Sequence, residues 1–366
     1  MSAEPQLGGR LCICVGAGGV GKTTVAAAIA CSRARQGQRV AVVTIDPAPR
    51  LAQALGFDEL SSEPRRVQTA GELWAMRLDP KRTLDDLIAS LAADEGVRER
   101  ALSNRIYREL SGAVAGSQEF SAVAKLYELD RNGDFDSIVL DTPPSRNALD
   151  FLDAPARLMR FFDGRTLRLL ISQGGLASRV ASRASAPLLG VLGRLTGTGV
   201  LREITAFFVA IGGMVEGLAA RAAAVEALLR DPASTFVVVS SPRAAVVEET
   251  IAFAAQLREA ELTLAALVVN RVHEAGAPAP PAGVLEALVG ERLAALVGES
   301  VHERDARAAA DAAGLARLRD AFEGLETVVI PELAGELEDL AALDRLAFYL
   351  ERRPGASTVG SPSVAQ

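Results

Sequence analysis

Several residue types are scarce in this chain, and each shortage closes off a class of protein. Cysteine occurs three times in 366 residues, as Cys12, Cys14 and Cys31. That is too few for a disulfide-stapled scaffold. Lysine is confined to Lys22, Lys81 and Lys125, so a lysine inside a motif stands out. Positive charge is also in deficit: 39 basic against 46 acidic residues leave a formal net charge of −7, so no basic footprint for nucleic acid is present. Long apolar runs are missing. The longest charge-free candidate in the middle of the chain, Ile204 to Val215, is closed off by Glu203 and Glu216, short of the roughly 20 residues a membrane-spanning helix needs. Met1 to Gly9 is polar and acidic, without the pattern of a secretory leader. A soluble, cytoplasmic chain is expected, and 49% hydrophobic residues suffice for a sizeable core.

What is present is an alternation of short β-rich runs with long helical stretches. Strands are expected at Arg10 to Val15, Arg39 to Ile45, Leu73 to Leu78, Ser137 to Leu140, Thr235 to Ser240, Ala265 to Asn270 and Thr327 to Ile330. Several are continuous apolar runs, as strands buried on both faces are. Helical segments lie between them, among them Thr23 to Gln36 with Gly37 as its C-cap. The fold class is therefore α/β, a mostly parallel sheet covered by helices. Lys81 to Lys125 and Asp150 to Arg230 contain no convincing strand, and predict an inserted helical subdomain at about 81–125 and 150–230. A Pro-rich loop is expected at Ala275 to Gly283. Disordered ends are expected at 1–9 and 354–366, around a core of 10–353.

The strongest local signal follows the first strand: Gly16-Ala17-Gly18-Gly19-Val20-Gly21-Lys22-Thr23-Thr24. It satisfies G-x-x-x-x-G-K-[ST] in a strand–loop–helix context, the P-loop NTPase arrangement. Glycines let backbone N–H groups turn inward around phosphate oxygens, and the following helix points its positive end at the anion. Gly18 to Thr24 are candidates for ATP binding, with Lys22 reaching the β- and γ-phosphates and Thr23 ligating Mg²⁺. Two carboxylates end apolar strands nearby. Asp141 follows Ile138-Val139-Leu140, the position of a Walker-B acid that holds Mg²⁺, and Asp46 follows Thr44-Ile45. Acids at the C-terminal ends of neighbouring parallel strands converge on the phosphate crevice. One can serve the metal while the other orients the attacking water.

The glycine-rich motif, then Thr44-Ile45-Asp46-Pro47-Ala48, then Phe135-Asp136-Ser137-Ile138-Val139-Leu140-Asp141-Thr142-Pro143-Pro144, resembles the deviant-Walker-A ATPases that dimerise around nucleotide. Within them it is most similar to the arsenite-pump ATPase and the factor that targets tail-anchored membrane proteins. Further matches are Leu73 to Pro80, the Gly116 to Glu119 turn, Asn270-Arg271 and Pro331-Glu332-Leu333, so the likeness runs from about Arg10 to about Leu350. The resemblance implies an ATPase using ATP and Mg²⁺, with Asp46 and Lys22 as catalytic residues and Asp46 as the water-activating carboxylate. Asp46 to Arg50 becomes switch I. Asp141 to Asn147 becomes switch II, with Pro143 and Arg146 in it. Asn270, Arg271, Pro331 and Glu332 become the frame of the adenine.

Departures from that family pattern shape the expected function. Where the family carries a signature lysine crossing the dimer interface, this chain has Ala17. Three explanations are open: weak intrinsic hydrolysis, a heterodimer whose partner supplies the lysine, or substitution by Arg146 or Arg50. Switch II reads Ser145-Arg146-Asn147 and switch I carries Pro49, both unlike the family. No cysteine follows Cys31, Cys12 and Cys14 are expected in the core, and His273 and His302 read as surface or helix-end residues, so neither a zinc clamp nor an arsenite site is expected. The apolar residues Leu158, Met159, Phe161, Phe162, Phe207 and Phe208 suit core packing, a dimer interface or a groove for a hydrophobic helix. The function expected is an ATP-hydrolysing, nucleotide-gated dimeric switch, as a homodimer or with a related lysine-bearing ATPase. The alternative is an ATP-bound scaffold that does not hydrolyse. A partition or septum-positioning ATPase is disfavoured by the acidic balance and by the lack of a basic amphipathic C-terminal helix.

Overall fold

The computed structural model describes residues 7, 9–69, 71–105, 107–108, 117–142, 206, 210, 212–333 and 339–351. Its backbone divides into two units, one formed by Met1–Arg77, Asp134–Ala148 and Pro232–Gln366, the other by Leu78–Gly133 and Leu149–Asp231.

The first unit is built on an eight-stranded sheet. Its strands are β1 (Leu11–Val15), β2 (Arg39–Thr44), β3 (Arg65–Arg66), β4 (Glu72–Arg77), β5 (Ser137–Asp141), β6 (Ser234–Ser240), β7 (Leu264–Val272) and β8 (Glu326–Pro331), in the spatial order β3-β4-β2-β5-β1-β6-β7-β8. Every pairing is parallel except that of β3 with β4. The seven strands expected from apolar runs are present with ends shifted by a residue or two. β3 was not expected, because two arginines offer neither an apolar run nor alternation; pairing sets Arg66 opposite Trp74, and its guanidinium lies over that indole at 5.9 Å.

The central strands β1, β5 and β6 are buried along their whole length, which is why they read as continuous apolar runs. Helix α1 (Lys22–Arg35) follows β1 and is rich in alanine; it buries Val25 to Ala34 almost without a break. Small side chains allow that close approach. Gly37, at φ +88°, turns the chain into β2. The last helix described, here α10 (Leu340–Glu351), packs on α1; Arg35 pairs with Asp344 at 2.6 Å and Glu351 at 2.8 Å. Three more helices complete this unit's described residues after the short α2 (Arg50–Ala54): α7 (Ala244–Glu259), α8 (Ala282–Val289) and α9 (Glu291–Ala321). Gly283 therefore lies in the first turn of a helix rather than ending a loop. Leu7 and Gly9, expected in a disordered end, are held: Leu7 is buried, and Arg33 donates to both carbonyls.

In the second unit the described helices are α3 (Pro80–Leu91), α4 (Glu95–Ser103), α5 (Ser117–Asn132) and α6 (Val215–Arg230). Asp79 and Asp94 cap the first two, accepting from Arg82 N at 3.0 Å and Val97 N at 2.8 Å, and Pro80 takes the first helical position. Within the expected 81–125 segment the described residues form α3, α4 and the start of α5, which continues to Asn132. Leu84, Leu87, Ile88, Tyr107, Ala124, Met214 and Leu218 share one core. Leu158 to Phe162, Phe207, Phe208, the Gly116 turn, and Pro143 and Arg146 lie outside the described residues. Among the described residues no helix is long and apolar enough to cross a membrane.

Candidate nucleotide site

The order of the strands decides where a site can form. Helix α1 leads from β1 past β5 to β2, while β6 lies on the other side of β1. The sheet changes winding direction at β1, and the crevice at the C-terminal strand ends opens there. Gly16 to Gly21 occupy that crevice. Gly16 has φ +147°, and a Cβ on it would come within 2.0 Å of the Val239 carbonyl oxygen; only glycine fits. Gly21, at φ +94°, would strike Asn270 Nδ2 at 2.3 Å if it carried a side chain. Gly18 and Gly19 are exposed, Val20 is buried beneath them, and Thr23 and Thr24 are half-buried in the first turn of α1.

Lys22 is buried, and its ammonium donates to the carbonyl oxygens of Gly16 at 3.0 Å and Ala17 at 2.9 Å. Burial pushes its pKa down, while the carboxylates of Asp141 and Asp46 oppose that shift. Two carbonyls of its own loop thus hold the cation.

Asp141 sits opposite both Cys14 of β1 and Thr44 of β2 in the sheet register. Thr44 Oγ1 donates to its Oδ2 at 2.9 Å, while Oδ1 is buried with no hydrogen-bond partner. Burial raises the Asp141 pKa to about 6; the Thr23 and Thr44 hydroxyls and Lys22 pull the other way. An orphaned buried carboxylate oxygen is costly, and the hard oxygen donors of Asp141 and Thr23 fit Mg²⁺. Asp46 stands one residue past Ile45 and is locally braced: Oδ1 accepts from Ala48 N at 2.9 Å, and its own N–H donates to Thr44 Oγ1 at 3.2 Å. Arg50 Nη1 lies 3.7 Å from Asp46 Oδ2.

Asn270 is buried at the end of β7. Its Nδ2 donates to Val20 O at 2.9 Å, and its Oδ1 accepts from Arg271 N at 3.0 Å. Its side chain is therefore committed to holding the Gly16–Gly21 loop, a role that the expectation of an adenine contact did not include. Arg271 is exposed with φ +61°, and the register of β7 against β8 shifts between Val269 and Val272, a local irregularity of the kind that re-aims side chains. Pro331 pairs with Val272, and Glu332 N donates to Val272 O at 3.0 Å, so these two lie next to the Asn270 segment. Sequence reasoning missed the Thr44 contact; a threonine two residues before a strand-end aspartate was its signal.

Cys12, Cys14 and Cys31 are fully buried. The Cys14 thiol is pushed up by its hydrogen bond to Cys12, in which Cys14 donates, and by burial, and burial raises Cys31 to about 12. His302 lies exposed in the body of α9, not at its end. His273 is paired: its N–H and Nδ1 both approach Asp311 Oδ2 at 2.8 Å.

Comparison with known proteins agrees with this geometry. Residues 10–279 match the anion-transporting ATPase family. ATPase GET3 of Podospora anserina is 27% identical over 70% of this chain and 71% of its own length. ATPase ARSA2 of Chlamydomonas reinhardtii is 28% identical over 70% of this chain and 66% of its own. ATPase get3 of Schizosaccharomyces pombe is 26% identical over 70% and 71%. With a glycine-rich loop following β1, Asp46 just past β2, Asp141 ending β5, and a family match that spans all three, the chain belongs to the anion-transporting ATPase family.

Proposed function

We propose that this protein binds ATP with Mg²⁺ at the Gly16–Thr24 loop and hydrolyses it, using the cycle as a dimeric conformational switch. The observation that carries the reading is the buried trio of Lys22, Asp141 and the Gly16 turn, which is unfavourable to fold without a ligand. Backbone N–H groups of Gly18 to Thr24 would receive the phosphates, and Lys22 would exchange its two carbonyls for phosphate oxygens. Thr23 and Asp141 would hold Mg²⁺, which when bound offsets charge on the phosphate oxygens. Asp46, braced by Ala48 N and Thr44, would orient the attacking water in line with the β–γ bond and accept its proton. Asn270 fixes the loop from behind, and the Arg271 and Pro331–Glu332 strand ends border the space where adenine would lie.

Phosphate release from Mg·ATP tests this reading. The wild-type protein should turn over, whereas Asp46→Asn should bind ATP with near-normal affinity and release phosphate at least about 10²-fold more slowly. Equal turnover by the two would remove Asp46 from the mechanism.

Ala17 favours a second reading, a nucleotide-bound scaffold with negligible hydrolysis, because that position holds no cation and its carbonyl is taken by Lys22. An undetectable wild-type rate together with tight ATP binding would select it. In either reading the nucleotide bridges or orders two copies, or this chain and a related ATPase, and the helical unit serves a hydrophobic helix. Sedimentation with and without Mg·ATP tests the first part, and binding of a fluorescent apolar peptide the second.

A further inference from the structure

Among the described residues, one buried cation serves the triphosphate that the reading above assigns to this site. Lys22 contributes one positive charge, while Asp46 and Asp141 are close enough to act on it electrostatically with two negative ones. A nucleoside triphosphate adds several more negative charges at the same place. In the reading above the γ-phosphate would lie near Asp46 even with a divalent cation bound, and like charges there would oppose approach.

Arg50 answers this deficit. It opens α2, four residues after Asp46, and its guanidinium lies 3.7 Å from the Asp46 carboxylate. The contact is long and the arginine side chain is 66% exposed, whereas the aspartate is only 16% exposed. An ion pair of that kind is weak and easily exchanged, and a guanidinium prefers the paired oxygens of a phosphate to a single distant carboxylate oxygen. The segment between the two residues borders a cavity of about 160 Å³, lined by Pro47, Ala48 and Pro49 together with Asp58, Glu59 and Arg77.

We propose that Arg50 is a catalytic cation supplied within the same chain: it covers Asp46 in the nucleotide-free protein and transfers to the γ-phosphate when ATP enters, neutralising charge there and leaving Asp46 free for water. This rests on the ATP-hydrolysing reading above and assigns to Arg50 the charge that position 17 does not provide. No bond is made or broken by Arg50 itself.

The experiment compares wild type, Arg50→Ala and Arg50→Lys in steady-state phosphate release and in binding of a fluorescent ATP analogue, with and without millimolar guanidinium chloride. Arg50→Ala should lower kcat by about 10²-fold or more, within the range known for arginines acting on transferring phosphates, while KM for ATP changes less than about fivefold. Arg50→Lys should retain part of the rate, and guanidinium ion should raise the rate of Arg50→Ala but not that of wild type. A merely structural role would give neither rescue, and the exposure of Arg50 predicts an unchanged thermal midpoint. Arg50→Ala turning over like wild type, or a loss that neither lysine nor guanidinium repairs, overturns the proposal while leaving the ATPase reading intact. Failure of wild type itself to hydrolyse the nucleotide overturns both.

Discussion

Two regions of the sheet-bearing unit depart from what stability alone would choose, in opposite directions. At the C-terminal ends of β1 and β5 the molecule buries charge: Lys22 and Asp141 are almost completely covered, and one Asp141 oxygen has no partner. Along α8 and the first turns of α9 it does the reverse. Leu288 is 73% exposed and Leu293 56%, with Leu296 and Val297 also exposed, whereas the later turns of α9 bury Ala308, Gly314 and Leu318. Local rules are broken most at functional sites. The difference is that the buried charges are mutually arranged: a cation, two acids and a glycine turn meet at one point, and that arrangement can be assigned a chemistry. The exposed leucines share a surface and no chemistry.

Substitutions in the first region should therefore change activity, stability or both, and those in the second should change neither. The largest effect is expected for Lys22→Ala, which should lower phosphate release by at least about 10³-fold with little change in the far-ultraviolet circular dichroism spectrum. Gly16→Ala comes next. The positive φ and the Val239 carbonyl at 2.0 Å should cost about 2–4 kcal/mol, visible as a lower urea midpoint.

Asp141→Asn has the opposite sign for stability. Its folded pKa of about 6 stands above the ordinary carboxylate value of 3.8, so the native state holds this proton more tightly than the unfolded chain. Ionisation therefore costs stability as pH rises from about 4 to 6, and the full cost persists above that window. At pH 7 without nucleotide, Asp141→Asn should unfold at a higher temperature than wild type by the equivalent of about 1–3 kcal/mol, and the gap should shrink by pH 4.5. Turnover should fall. Asn270→Ala removes the bond to Val20 O and should cost about 1 kcal/mol in stability, with weaker ATP binding. The smallest effect belongs to the second region: Leu293→Ser should change turnover by less than about twofold and stability by less than about 0.5 kcal/mol.

Much of this was legible in the residues themselves. Gly16 to Thr24 has one structural meaning because its spacing requires strand, turn and helix in succession, and the apolar runs ending in Asp46 and Asp141 placed those acids at strand ends. The lateral relations were not legible. Thr44 reaches Asp141 because β5 lies between β1 and β2, an order that local pattern does not encode, and Asn270 reaches Val20 across 250 residues of chain. β3 was missed because two arginines carry no periodicity. His273 looked solitary because its partner, Asp311, lies 38 positions on.

The central claim is that a glycine turn, one buried ammonium and two strand-end acids exist to hold a magnesium–triphosphate complex. Isothermal titration of the purified chain with ATP in the presence of Mg²⁺ tests it most directly. A saturable heat corresponding to one nucleotide per chain, abolished in Lys22→Ala, is the result expected; no heat of binding from the wild-type protein, or an identical isotherm from Lys22→Ala, would contradict it.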